Sequence, residues 1–194
     1  DSYEILNNLQ TGKQVSDYTD VSKNAWYYDA AKYATDKQLM SGEKPYVFGA
    51  DEALTRAEVA SALYNLAGQP KVELASFTDV PVTHQARTAI AWAAKTGIMK
   101  GVGDNKFEPD RSVSREEIAT LLTRQRKLSG EDVSADKAAI NEFADSAKIS
   151  SWAVDGVAYC TKSGLVKGNP GKVFAPAGNT TRAELATIIQ RIAA

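Results

Sequence analysis

Thr55-Arg56-Ala57-Glu58 occurs again in this chain as Ser114-Arg115-Glu116-Glu117 and as Thr181-Arg182-Ala183-Glu184. Each copy has a hydroxyl residue, then an arginine, then a glutamate two residues after the arginine. The arginines are separated by 59 and 67 residues. A pattern that recurs at nearly constant spacing is typical of one supersecondary unit repeated along the chain. The tetrapeptide therefore predicts a protein built from three equivalent units.

Other residues repeat in register with the tetrapeptide. Each unit opens with an aromatic residue two positions before an aspartate, followed by a small-residue helix, a glycine and a phenylalanine. The aspartates are Asp20, Asp79 and Asp145, the glycines are Gly42, Gly101 and Gly168, and the phenylalanines are Phe48, Phe107 and Phe174. In the second unit Ala86, Ala89 and Ile90 begin one helical stripe. Sustained strand-like alternation is absent from the sequence. The pattern therefore predicts an all-α fold of three tandem helix-loop-helix repeats.

The repeats divide the chain into four segments. We predict an N-terminal extension over residues 1–17, in which Ser2 caps a short helix, and repeats over residues 18–70, 71–130 and 131–194. A unit of about 55 residues has little interior of its own, so we expect the three to share one core as a composite domain. The chain begins at Asp1 and shows no signal-peptide pattern, which we interpret as a processed or trimmed protein.

Composition argues against several function classes. A net charge of −1 provides no broad basic field for nucleic acid, and no apolar run is long enough for membrane insertion. With one cysteine, Cys160, and one histidine, His84, the chain has no internal disulfide and is a poor candidate for a zinc site. It also lacks a nucleophile elbow, a metal-ligand cluster and a phosphate-binding glycine loop. We therefore expect no metal and no cofactor, and we predict that the chain is not an enzyme.

The hydroxyl residue and the glutamate of each tetrapeptide fit a helix capping box. In this motif the hydroxyl accepts the amide of the third helical residue, and the glutamate accepts the amide of the capping residue. Loss of such a cap costs about 0.5–2 kcal/mol. We therefore interpret six residues as structural caps: Thr55, Glu58, Ser114, Glu117, Thr181 and Glu184.

Capping does not explain the arginines, Arg56, Arg115 and Arg182. They fall at the first helical position, where the helix dipole disfavours a cation by about 0.3–1 kcal/mol. A guanidinium beside free backbone amides is a good receptor for a carboxylate or a phosphate. The alternative is an ion pair with an acidic neighbour, such as the repeated aspartate. We favour anion binding, and we expect replacement of these arginines by alanine to weaken binding without unfolding the protein.

The same markers in the same order, three times over, make residues 18–194 resemble the S-layer homology family. The resemblance implies a pseudo-threefold helical bundle with grooves between adjacent repeats. It also implies a monomeric, non-catalytic module of a larger secreted protein, which it anchors extracellularly in the S-layer or cell wall. In that family the usual partner is an anionic secondary wall polysaccharide bearing ketal-linked pyruvate. The motif arginine is understood to bind the pyruvate carboxylate.

The resemblance also implies further ligand-binding residues. Lys100 and Lys167 precede the repeated glycines, and the equivalent first-helix aromatic residues Tyr33, Trp92 and Tyr159 either line grooves or pack in the core. We interpret other repeated residues as mainly structural. Trp26 and Trp152 begin the first helices, the aspartates cap those helices or orient groove residues, and the glycines Gly42, Gly101 and Gly168 permit a tight turn or a left-handed backbone.

The three sites are not expected to be equal. His84-Gln85 stands in the second repeat where the other repeats have tryptophan, and Ser41 stands in the first repeat where the others have lysine. Glu116 places a negative charge next to Arg115, which is expected to weaken anion binding there. Two other hypotheses remain open: an anchor that binds peptidoglycan, and a protein-binding scaffold, which would need apolar anchors in its grooves.

Overall fold

The computed structural model describes residues 13–193 of the chain. The α-helices in this range are α1 (Tyr28–Asp36), α2 (Arg56–Leu66), α3 (Arg87–Lys95), α4 (Arg115–Leu128), α5 (Val154–Lys162) and α6 (Arg182–Ala193). Short 3-10 helices span Val15–Asp17, Lys137–Glu142 and Ser146–Lys148. The all-α prediction is confirmed, since residues 13–193 contain isolated bridges but no strand. The helix predicted after Ser2 lies outside the described residues.

Each repeat contributes two helices, and the second helix packs against the first helix of the following repeat. Thus α2 packs on α3, α4 packs on α5, and α6 returns to α1. Small residues allow these helices to approach closely. A Cβ atom at Gly156 of α5 would lie 2.9 Å from Cα of Thr120 in α4. The three repeats therefore close into a pseudo-threefold ring in which each helix pair is shared between neighbours.

The centre of the ring is closed by three backbone hydrogen bonds. Leu54, Val113 and Thr180 are equivalent residues, each directly before a tetrapeptide. The amide of Leu54 donates to the carbonyl of Thr180, that of Thr180 to Val113, and that of Val113 to Leu54, at 2.9, 3.1 and 2.9 Å. All three residues are buried. Because each bond joins a different pair of repeats, the cycle holds all three units together.

The repeated aspartates hold the phenylalanine loops. Each carboxylate accepts the amides of the phenylalanine and of the residue after it, at 2.7–2.9 Å. The first helices begin after Tyr27, Ala86 and Ala153, which make no side-chain cap. Of the two roles considered for the aspartates, a cap on the first helix is therefore wrong. They position a loop that lies about 28 residues further along the chain.

Folding is expected to depend on pH through Asp145. Burial alone would raise the pKa of its carboxyl, but the amides of Phe174 and Ala175 outweigh burial and hold the pKa below its ordinary value. Such a group contributes its full stabilisation above the unfolded pKa of about 3.9, and loses it as pH falls through the lower folded pKa. Asp145→Asn is therefore expected to lose less unfolding free energy than the wild type between about pH 7 and about pH 3. Urea denaturation at both pH values measures this, and an identical loss in both proteins would contradict it.

The repeated glycines are required by close packing and not by a left-handed backbone. None of Gly42, Gly101 and Gly168 has a positive φ. A Cβ at these positions would lie 2.5, 3.0 and 2.6 Å from the aromatic ring that opens the same repeat. The rings belong to Tyr18, Phe77 and Phe143. Of the two roles considered for these glycines, a left-handed backbone is therefore wrong, and the glycines make room for an aromatic side chain.

Candidate functional site

The arginine of each tetrapeptide is buried between two repeats. Arg56, Arg115 and Arg182 are 7%, 5% and 3% exposed. Each Nε donates to the carbonyl of the phenylalanine in the following repeat, at 2.9, 2.7 and 2.8 Å. Each Nη2 donates to the carbonyl of the residue before the repeated glycine, which is Lys100, Lys167 or Ser41. The guanidinium also lies over the phenylalanine ring. These contacts make the arginine a clamp between neighbouring repeats.

Backbone amides beside the arginine are also occupied. The first two amides of each second helix donate to carbonyls of the following repeat at 2.9–3.0 Å. The donor and acceptor pairs are Arg56 with Arg111, Ala57 with Pro109, Arg115 with Gly178, Glu116 with Pro176, Arg182 with Glu52, and Ala183 with Ala50. The expectation of free amides at these helix ends is therefore wrong, because the following repeat supplies their acceptors.

The glutamate of each tetrapeptide has two partners. Both hydrogen bonds of the capping box are present in all three repeats. In two of them the second glutamate oxygen accepts Nη1 of the arginine from the preceding repeat, as Arg115 with Glu184 and Arg182 with Glu58. The acidic partner of these arginines is therefore a capping glutamate and not a repeated aspartate.

Arg56 lacks this third bond because Arg111 occupies the equivalent glutamate. Nη2 of Arg111 donates to Glu117 at 2.9 Å. Within residues 13–193, Nη1 of Arg56 makes no hydrogen bond. Burial is the main cause that lowers the pKa of Arg56, and the nearby Arg111 lowers it further; an arginine nevertheless stays charged in a protein. Arg56 is therefore the motif arginine whose Nη1 has no hydrogen-bond partner in the described part of the chain.

Two cavities open beside the arginines, with volumes of about 230 and 170 Å³. Groove 1 is lined by residues including Arg56, Lys100, Val113, Glu117, Arg124 and Trp152. Groove 2 is lined by their equivalents, Arg115, Lys167, Thr180, Glu184, Arg191 and Trp26. In each groove one repeat supplies the buried arginine, the next supplies the lysine and the second arginine, and the remaining repeat supplies the tryptophan. Each groove therefore exists only when all three repeats are assembled.

Both grooves have a positively charged wall. Lys100 and Arg124 are exposed in groove 1, as are Lys167 and Arg191 in groove 2. Nη1 of Arg124 donates to the carbonyl of Ile98 at 3.0 Å, and Nη1 of Arg191 donates to Leu165 at 2.9 Å. This bond fixes each guanidinium at the groove wall. Sequence reasoning missed Arg124 and Arg191, although each follows the motif arginine of its own repeat by nine positions.

The tryptophans Trp26 and Trp152 are 70% and 56% exposed. Both line a groove, so their interpretation as mainly structural residues is corrected. An exposed indole beside charged residues presents a flat apolar face and one polar N–H group. Such a side chain suits a ligand that has both an apolar face and polar edges.

Tyr33, Trp92 and Tyr159 lie outside both cavities. Trp92 is buried with its ring 5.7 Å from that of Tyr64, and the buried Tyr159 donates its hydroxyl to Glu131 at 3.0 Å. The hydroxyl of Tyr33 donates to the carbonyl of Ala193 at 3.3 Å. Of the two roles left open for these rings, they have the packing role. Because these three side chains contact residues outside both grooves, we exclude them from the candidate site.

The third equivalent position, groove 3, contains Arg182 but not the basic wall. Every guanidinium nitrogen of Arg182 is used, by Phe48, Glu58 and Ser41. Ser41, Asn65 and Gln85 stand where the other grooves have lysine, arginine and tryptophan. Asn65 donates to the carbonyl of Leu39 at 3.3 Å, the same backbone bond that Arg124 and Arg191 make. Groove 3 therefore keeps the frame of the site without its exposed charges.

Glu116 was expected to weaken anion binding at Arg115, but its hydrogen bonds are made outside groove 2. Its two carboxylate oxygens accept the amide and the hydroxyl of Ser150 at 2.8 and 2.9 Å. The glutamate that pairs with Arg115 is Glu184. Glu116 therefore ties α4 to the turn before α5.

Other reactive residues do not form a second site. Burial raises the pKa of Cys160 to about 12, so its thiol stays protonated. Nδ1 of His84 accepts the amide of Ala86 at 3.1 Å. Among the side chains of the described range, no group of three histidine, cysteine or acidic residues is arranged to hold a metal ion. None of the helices described is long and apolar enough to cross a membrane.

Comparison with known proteins identifies the repeats. Residues 17–60, 76–119 and 142–186 each match the S-layer homology domain. An amylopullulanase from Thermoanaerobacterium thermosulfurigenes is 31% identical over 89% of this chain, and the exoglucanase XynX from Acetivibrio thermocellus is 30% identical over 89%. An S-layer protein from Bacillus thuringiensis subsp. finitimus is 27% identical over 90%. The chain spans 9%, 16% and 21% of the lengths of these relatives. The domain matches cover more than half of the chain, which therefore belongs to the S-layer homology domain family.

Proposed function

We propose that this chain anchors a larger extracellular protein to the bacterial cell wall by binding a pyruvylated secondary wall polysaccharide in grooves 1 and 2. S-layer homology domains anchor proteins at the cell surface, and that coarser function follows from the family. The finer proposal is carried by one observation: two grooves combine an exposed lysine, an exposed arginine and an exposed tryptophan. This combination suits a sugar that carries a carboxylate.

Charge supports a carboxylate ligand. Hydrogen bonds between a guanidinium or ammonium group and a carboxylate are roughly twice as strong as neutral ones. In groove 1 the pyruvate carboxylate would be bound by Lys100, Arg124 and the unpaired Nη1 of Arg56. In groove 2 Glu184 already occupies Arg115, so Lys167 and Arg191 would supply the charge. We therefore propose that groove 1 binds the carboxylate more tightly than groove 2.

The sugar ring would lie against the indole. Trp152 in groove 1 and Trp26 in groove 2 face the solvent beside the basic wall. Burial of an aromatic face contributes by the hydrophobic effect at roughly 25 cal/mol per Å² of apolar surface. Because each groove is small and open, a single site is expected to bind modestly. A polymer with repeated pyruvate groups can occupy both grooves, which raises avidity through effective concentration.

The chain itself is non-catalytic. The amylopullulanase and the exoglucanase match it over 9% and 16% of their lengths, which leaves most of each enzyme outside the match. Their catalysis is therefore not carried over to this module. A protein-binding scaffold is less well supported, because each of the two grooves has two exposed basic side chains beside its exposed indole, whereas a peptide or helix groove needs a series of apolar anchors.

Wall binding and ligand chemistry test the proposal separately. The protein is expected to co-sediment with walls that carry the pyruvylated polymer, and to lose this binding after the polymer is removed chemically. Calorimetry should detect binding of a synthetic pyruvylated methyl glycoside and much weaker binding of the unpyruvylated parent. Undiminished binding to stripped peptidoglycan would overturn the polysaccharide assignment in favour of a peptidoglycan anchor. Equal binding of the two glycosides would overturn the role of the carboxylate.

A further inference from the structure

Grooves 1 and 2 have the same charged residues but differ in polarity at two other positions. Groove 1 has Val102 and Val113 where groove 2 has Asn169 and Thr180. The remaining substitutions between the two linings, such as Met99 for Val166, exchange one apolar residue for another. Groove 2 therefore adds a hydroxyl and an amide to a lining that is otherwise equivalent.

The hydroxyl of Thr180 is buried without a partner. Thr180 is 1% exposed, and its Oγ1 makes no hydrogen bond within residues 13–193. Its own amide and carbonyl are used in the central backbone cycle, with Val113 and Leu54. A buried hydroxyl without a hydrogen bond is unfavourable. Valine has nearly the same shape and occupies the equivalent position in groove 1, so packing alone does not require threonine.

A neighbouring threonine shows the contrast. Thr187 also lies beside groove 2, but its hydroxyl donates to the carbonyl of Ala183 at 2.9 Å. That bond satisfies Thr187 inside its own helix. Thr180 has no such partner within residues 13–193 and is one of the residues that line the cavity, so a ligand in groove 2 is the candidate partner for its hydroxyl.

We propose that Thr180 and Asn169 form a polar subsite in groove 2 that recognises a hydroxyl or amide group of the carboxylated saccharide. Groove 1, with two valines at these positions, accepts a less polar face of the sugar. The two grooves therefore select differently substituted saccharides along one polymer. The inference rests on the proposed carboxylate-binding function of the same grooves.

Selectivity follows from the cost of leaving a polar group unpaired. A site built to hydrogen-bond a hydroxyl discriminates against an analogue that lacks it, whereas an apolar pocket discriminates weakly. One neutral hydrogen bond corresponds to roughly a three- to tenfold change in affinity. This effect is expected in groove 2 and not in groove 1.

The test needs a protein in which only groove 2 has its basic wall. Lys100→Ser with Arg124→Asn gives groove 1 the residues that groove 3 has naturally, Ser41 and Asn65. In this background, Thr180→Val is expected to weaken binding of a pyruvylated methyl glycoside by about three- to tenfold in calorimetry. A series of monodeoxy pyruvylated glycosides should contain one member that binds the background protein and its Thr180→Val variant equally, because that member lacks the group that Thr180 recognises. Thr187→Val is the matched control and should leave affinity unchanged.

Two further variants separate hydrogen bonding from packing. Thr180→Ser keeps the hydroxyl and should keep the discrimination among deoxy analogues. Val113→Thr, in a protein with Lys167→Ser and Arg191→Asn, should give groove 1 a new preference for the hydroxylated glycoside. If the wild type binds the pyruvylated glycoside, but the Lys100→Ser, Arg124→Asn protein does not bind it or binds it equally well with and without Thr180→Val, this inference is overturned while the proposed function stands. If the wild type binds no pyruvylated glycoside, the proposed function itself fails.

Discussion

Replacing Arg182 by alanine is expected to lower the free energy of unfolding by about 3–5 kcal/mol, the range for removing one partner of a buried ion pair. Arg182 is 3% exposed and joins the last repeat to the first. Its removal leaves the carbonyl of Ser41 without its side-chain donor, leaves the carbonyl of Phe48 with only the longer bond from the amide of Glu43, and leaves Glu58 without its cation. Urea denaturation followed by circular dichroism measures the loss.

Arg182→Lys and an exposed lysine provide the controls. Lysine keeps the charge but lacks the planar fork that reaches three acceptors, so Arg182→Lys is expected to be destabilised by a smaller but clear amount. Lys71→Ala, in an exposed loop, should stay within about 0.5 kcal/mol of the wild type. An Arg182→Ala protein as stable as this control would show that the clamp is unimportant. The sequence-based expectation that alanine leaves the fold unaffected treated the arginine as exposed, and burial is the physical reason for the different expectation.

Replacing the basic residues of grooves 1 and 2 by the equivalent residues of groove 3 is expected to abolish binding to the bacterial cell wall. The exchange combines four substitutions: Lys100→Ser, Arg124→Asn, Lys167→Ser and Arg191→Asn. Removing the basic residues of one groove should lower the apparent affinity for cell walls, measured by co-sedimentation, by tenfold or more. Removing those of both grooves should eliminate binding, since avidity from linked sites is on the order of 10²- to 10⁴-fold. Asparagine can keep the backbone bond of each replaced arginine, as Asn65 does. The thermal unfolding of the variant is therefore expected to stay close to that of the wild type.

A charge-matched protein controls for non-specific electrostatic attraction. Replacing four exposed lysines outside the grooves by serine changes the net charge equally and should leave wall binding intact; the residues are Lys23, Lys37, Lys71 and Lys127. Loss of binding in this control, or its retention in the groove variant, would contradict the assignment.

The reverse exchange, Ser41→Lys with Asn65→Arg, is expected to add a third binding equivalent in calorimetry. It supplies groove 3 with the charges that the other two grooves have.

Local signals in the sequence were sufficient for the architecture. The capping residues, such as Thr55 and Glu58, depend on atoms within one helical turn, so their spacing identifies the start of each second helix. The small residues at intervals of three and four identify the first helices in the same way. Repetition of these signals in register identifies the three units and their family.

Contacts between repeats determine which residues form the candidate site, and these contacts could not be predicted from the sequence. The buried arginines bind carbonyls 44 to 141 residues away, in a different repeat, because the ring closes α6 onto α1. The two tryptophans reach grooves formed by the other two repeats, so their exposure depends on the assembled ring. Arg124 and Arg191 had a readable sequence signal, the common spacing from the motif arginine, but only the fold gave that spacing a meaning.

By itself, the sequence determined three equivalent helix pairs, their capping boxes and the S-layer homology family, because these follow from periodicity and local hydrogen bonding. The tertiary structure decided what each copy of the repeated arginine does. All three are clamps, since burial between repeats surrounds them with backbone carbonyls. Only Arg56 among them has a guanidinium nitrogen, Nη1, that makes no hydrogen bond within residues 13–193, because Arg111 occupies the glutamate that would otherwise bind it. The residues that remain open to a ligand are the exposed lysine, arginine and tryptophan of grooves 1 and 2, which three separate repeats bring together.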